Sequence, residues 1–65
     1  MDILTKRETD IIQYVAQGLN NNQIAEKMFI SRHTIKAHLA TAIKKLSAIN
    51  RTNVVYKALK NKLIK

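Results

Sequence analysis

The chain has 65 residues, 46% hydrophobic and 25% charged, with a formal net charge of +8, no cysteine, no proline and a single glycine. Such a composition describes a folded chain rather than a disordered one, excludes disulfides and thiolate metal sites, and argues for helices over a many-turned β fold. No apolar run approaches the roughly 20 residues of a membrane-spanning helix, and Met1-Asp2-Ile3 lacks the basic-then-apolar order of a signal peptide; the expectation is one small cytoplasmic domain over residues 1–65, with a marginal core.

The first helix is expected over about residues 5–17. Thr5 and Glu8 have the spacing of a capping box, in which the hydroxyl satisfies a first-turn amide and the carboxylate reaches back. Ile11, Ile12, Val15 and Ala16 form its buried stripe, with Tyr14 near the edge, and Gly18 ends it because glycine takes the left-handed conformation at little cost. Asn20 and Gln23 repeat the cap for a short second helix, about 21–28, burying Ile24, Ala25 and Met28.

Ser31 caps a third helix, about 32–46, after a turn of some three residues at 29–31. Two helices joined so tightly make a helix-turn-helix. The third helix has two usable faces. Ile35, Leu39, Ala42, Ile43 and Leu46 recur at helical spacing and face a core, while His33, Ala37, Ala40, Thr41 and Lys44 point away, with Arg32 and Lys36 along the border. A fourth helix, about 51–63, is capped by Asn50 or Thr52 and carries more apolar positions (Val54, Val55, Ala58, Leu59, Leu63) than a small core requires. The expected fold is all-α: four helices, bundle-like, containing a helix-turn-helix.

Charge divides the chain. Residues 1–26 hold Asp2, Glu8, Asp10 and Glu26 against Lys6 and Arg7, a balance of −2; residues 27–65 hold ten Lys or Arg and no acid, a balance of +10. AT-rich coding would inflate the lysine count but would not remove acids from one half, so the asymmetry points to a phosphate-seeking surface. Catalysis is a poor fit, because no carboxylate pair, nucleophile–base arrangement or glycine-rich phosphate loop is present. His33 and His38 are five residues apart, about 140° around a helix, and do not form a two-histidine metal pair. Small side chains flanked by cations suit a helix that must approach DNA closely. Non-specific electrostatic binding would need neither the two-faced helix nor the capped turn.

Taken together, Leu4-Thr5-x-Arg7-Glu8, Ala16-x-Gly18, Asn21-x-x-Ile24-Ala25, Ser31-x-x-Thr34-Ile35-Lys36-x-His38, Lys45-Leu46 and Asn50-Arg51 resemble the C-terminal DNA-binding domain of LuxR/FixJ/NarL-type transcription regulators over about residues 3–64. The departures are Lys6 where proline is frequent, Asn20 where Ser or Thr usually caps, and Asn22 where a cation is common. The resemblance implies four helices with the third as reader, a symmetric dimer through the fourth, and a receiver or ligand-binding domain commonly preceding this unit.

On that basis Lys36, Ala37 and Ala40 are the expected base-reading residues: lysine can donate to guanine, and alanine methyls can meet thymine methyls. Ser31, Arg32, His33, Thr34, Lys44 and Asn21 are expected at phosphates, which position a protein without specifying sequence. Lys45 is divided between phosphate and solvent. Arg51, after the turn before the fourth helix, is divided between a phosphate contact and a structural brace to the first helix with Glu8 as one partner, the brace being the favoured reading. Val54, Val55, Ala58 and Leu59 supply the dimer seam, shared in an order the sequence leaves open with the core. The expected partners are double-stranded DNA and a second copy of the chain, with no cofactor, small-molecule ligand or membrane.

Overall fold

Each helix begins where a side chain can satisfy its first amides. In a computed structural model, which describes residues 3–65, the helices are α1 (Lys6–Ala16), α2 (Asn21–Met28), α3 (Arg32–Lys45) and α4 (Arg51–Lys60). Thr5 Oγ1 accepts from the Glu8 amide at 3.1 Å and Glu8 Oε1 accepts from the Thr5 amide at 2.9 Å, closing the first box. Asn20 and Gln23 close the second at 2.9 and 2.8 Å. Ser31 and Asn50 cap α3 and α4 through the amides of Thr34 and Asn53.

All four helices stop in the same way: a residue just past the end turns left-handed, and the amide after it reaches a carbonyl five positions back. Gly18 (φ 91°) does this after α1, but Phe29 (57°), Ser47 (52°) and Lys62 (58°) do it after the others. The closing bonds are Leu19 to Tyr14, Ile30 to Ala25, Ala48 to Ile43 and Leu63 to Ala58.

The core runs through all four helices: Ile11 and Ile12 from α1, Ile24 from α2, Ile35, Leu39 and Ala42 from α3, Val54 and Ala58 from α4, with Leu4 and Ile64 closing it from the chain ends. Burying one such aliphatic side chain contributes about 1.5–3 kcal/mol. α3 lies across α1 and α2, and α4 packs on α1 and α3. Half of α3 is therefore walled in while the opposite half faces out.

Three expectations change. Helix α4 ends at Lys60, not near 63, because Lys62 reverses the backbone and sends Leu63 and Ile64 back onto the core. Of the expected α1 stripe, Ile11 and Ile12 are buried, Val15 is half-buried and Ala16 is exposed, while Leu4 joins the core from before the helix. Val54 and Ala58 have no exposed surface at all, so neither can form a dimer seam; the helix turns both into the α1–α3 core.

Candidate nucleic-acid interface

The outward half of α3 is set by what the inward half buries. With Ile35, Leu39 and Ala42 in the core, Lys36, Ala37, Ala40 and Lys44 are exposed, and Arg32 and His33 are exposed in its first turn. His38, on the border, is half-buried. Thr41 spends its hydroxyl proton on the Ala37 carbonyl at 3.1 Å. The resulting surface is low in the middle, where the alanines lie, and cationic at both ends.

The first turn of α3 is built to meet an anion. Ser31 Oγ accepts the Thr34 amide and lies 2.9 Å from Thr34 Oγ1, so both hydroxyls are held at the helix start. Free amides and the positive end of the helix dipole lie there. Asn21, Arg32, His33 and Lys36 line a cleft of about 340 Å³ between the first turns of α2 and α3. Asn21 and Thr34 are half-buried; the other expected phosphate residues are open to solvent.

Among the described residues the ion pairs are Lys6 with Asp10 and Lys45 with Glu8. Arg32, Lys36 and Lys44 therefore carry charge that no carboxylate of the described residues pairs. Lys45 does not belong with them: its ammonium lies 2.8 Å from Glu8 Oε1, a carboxylate only 4% exposed. Burial pushes the Glu8 carboxyl up, but the Lys45 hydrogen bond, the Thr5 amide and the Lys45 charge outweigh it and hold the group below its ordinary value.

Arg51 has other partners than Glu8. Its Nη1 donates to Asn21 Oδ1 at 2.6 Å and its Nη2 to the Leu19 carbonyl at 2.7 Å, tying the start of α4 to the start of α2. The planar fork reaches two oxygens at once, as lysine could not. Sequence spacing could not pair positions thirty residues apart.

On α4, Val55 is half-buried, Tyr56 is 59% exposed and Leu59, one turn on from both, is 46% exposed. Tyr56, which the sequence reading passed over, could have been found from its three-residue spacing to Leu59. Its ring lies 6.0 Å from Lys60 Nζ. Among the described residues no helix is long and apolar enough to cross a membrane, and no group of three metal-ligating side chains occurs.

The model of a family described as bacterial regulatory proteins, luxR family, matches residues 2–58. An uncharacterised transcriptional regulatory protein of Bacillus subtilis, YxjL, is 42% identical over 60 residues, which are 92% of this chain and 28% of that protein. The transcriptional activator protein BjaR1 of Bradyrhizobium diazoefficiens is 43% identical over 61 residues, 94% of this chain and 25% of its own length. The crystal structure of the response regulator ChrA of a heme-sensing two-component system superposes with a TM-score of 0.92 at 42% identity, covering 98% of this chain and 32% of that one. The chain thus spans about a quarter of the length of the curated relatives it matches. With sequence pattern, four-helix fold and exposed cationic helix all in agreement, the chain belongs to the luxR family of bacterial regulatory proteins, as a DNA-binding helix-turn-helix domain of transcription regulators and not an enzyme.

Proposed function

We propose that this single domain binds a specific DNA sequence by laying α3 in the major groove, as a homodimer on an inverted repeat, in the bacterial cytoplasm. The observation that carries the reading is the outward half of α3, where Ala37 and Ala40 leave room for base edges and Lys36, Arg32 and Lys44 hold unpaired charge beside them. Lys36, Ala37 and Ala40 read bases; Ser31, Arg32, His33, Thr34, Lys44 and Asn21 hold phosphates on either side. Dimerisation uses Val55, Leu59 and the neighbouring Tyr56, and a two-fold pair doubles the DNA contact area.

The test is a selection from a random duplex library at physiological salt. A two-fold-symmetric motif with half-sites about one helical turn apart is the expected result; a single half-site would remove the dimer and keep the reader helix. Binding that enriches no motif and merely fades as salt rises would reduce the domain to a basic module. On the selected site Lys36→Ala weakens binding by about tenfold or more, the worth of one good base contact, with its melting temperature unchanged. Normal binding by that variant would refute the assignment of the reading face.

A further inference from the structure

Arg51 is unusual in its surroundings. It is the first residue of α4, and its guanidinium is bonded to the first residue of α2, so a full positive charge sits at two helix starts whose own dipoles are positive. Both of its acceptors, Asn21 Oδ1 and the Leu19 carbonyl, are neutral. The fork explains why an arginine can brace both oxygens, but neither acceptor offsets the charge that it brings to those helix starts. Beyond Asn21 lies the cleft it shares with Arg32, His33 and Lys36. Since Asn21 Oδ1 accepts from Arg51, its amide protons are left for whatever enters the cleft.

We infer that Arg51 is a positioning residue for DNA binding: it locks the Asn21 side chain with its amide protons toward the cleft, and its unpaired charge, together with theirs, makes that cleft a seat for one backbone phosphate. The inference rests on the DNA-binding reading above. It gives the charge at the α4 start a counter-ion that the protein itself withholds, and it makes α4 a contributor to DNA contact through α2.

The experiment measures affinity for the selected duplex, and thermal stability, in the full chain and four variants: Arg51→Gln, Asn21→Ala, Asn21→Asp and the double variant Arg51→Gln/Asn21→Ala. Binding is read at a temperature where each protein is folded. Arg51→Gln and Asn21→Ala should each weaken binding by about tenfold, the scale of one charge-assisted hydrogen bond, and the double variant should fall no further than the worse single one. Asn21→Asp gives Arg51 a better acceptor and α2 a favourable first-turn acid, so its melting temperature should hold or rise. Its DNA affinity should nevertheless drop by more than tenfold, because a carboxylate replaces the amide donors facing the phosphate.

A folded Arg51→Gln that binds within twofold of the wild type, or singles whose effects simply multiply in the double variant, would overturn the inference. So would normal binding by Asn21→Asp, which decides the matter even if Arg51→Gln fails to fold. Lys36→Ala separates the two levels of argument: if it weakens binding while these variants do not, only the role of Arg51 fails. If the unaltered chain binds no duplex, the DNA-binding reading itself fails.

Discussion

Two long-range tethers hold the second half of the chain against the first, and they are built on opposite principles. At one, Lys45 near the end of α3 meets Glu8 at the start of α1, a cation against a carboxylate that is almost wholly buried. At the other, Arg51 at the start of α4 meets a side-chain amide oxygen and a main-chain carbonyl. The first tether cancels its charge within the protein and ties the end of α3 to the start of α1. The second leaves its charge uncancelled beside a cleft that already contains Arg32, His33 and Lys36. In so basic a chain, a cation's role is decided by whether an acid lies within reach rather than by its position in the sequence.

The largest effect should come from cutting the first tether. Glu8→Ala removes the partner of Lys45, the acceptor for the Thr5 amide and half of the capping box. Breaking a buried pair by removing one member costs about 3–5 kcal/mol, and since Lys45 keeps a third of its side chain in water the lower end applies, about 3 kcal/mol. Urea denaturation measures this directly. A loss below about 1 kcal/mol, the scale of a surface pair, would mean that the two tethers are not different in kind.

Acid should weaken the same tether without any mutation. Because the folded protein holds the Glu8 carboxyl below its ordinary value of 4.5, the unfolded chain takes up a proton there first as pH falls. The stabilisation is complete above that ordinary value and is lost as pH drops through the lower, folded one. Glu8→Gln keeps an acceptor for the cap but has no proton to take up. The stability gap between wild type and Glu8→Gln should therefore be widest near neutrality and narrow below about pH 4; a gap independent of pH would show that the carboxylate charge is not what Lys45 holds.

Adjacent lysines sharpen the contrast at a smaller scale. Lys45→Gln leaves the buried Glu8 carboxylate without its counter-charge and should lower stability by about 2 kcal/mol, while leaving the salt dependence of DNA binding nearly unchanged. Lys44→Gln should leave stability alone and lower the slope of log affinity against log salt by about one. Equal slopes for the two variants would return Lys45 to the DNA-facing set.

Much of this plan could be read from the chain. The caps at Thr5, Asn20, Ser31 and Asn50 are local patterns of side chain and amide, and the two faces of α3 follow from the spacing of Ile35, Leu39 and Ala42. The partners of Lys45 and Arg51 were not readable, because both bonds join positions thirty or more residues apart. Nor did α4 show which of its apolar residues face inward: Val54 and Val55 are neighbours, and only the packing on α1 and α3 decides that the first is buried. The end of α4 was misplaced for a different reason. Glycine advertises a left-handed helix stop only once in this chain, and Phe29, Ser47 and Lys62 make the same turn without it.

That substitution of ordinary residues for glycine suggests the smallest effect, in a turn that neither tether touches. Phe29, between α2 and α3, has φ 57° and is 93% exposed, so its ring contributes almost no packing while its backbone carries left-handed strain. The strain is about 1–2 kcal/mol, and glycine would relieve it while adding roughly 0.5–1 kcal/mol of chain entropy to the unfolded state. Phe29→Gly should therefore stabilise the domain by about 0.5–1 kcal/mol, raising the melting temperature by a few degrees in a protein of this size. Phe29→Ala removes the same ring and keeps the strain, so it isolates the backbone contribution. A glycine variant no more stable than the alanine one would mean that the turn is not left-handed in solution. If the gain appears and DNA affinity stays the same, the orientation of the reader helix is set by the Glu8–Lys45 tether and the shared core, with the turn serving only to connect.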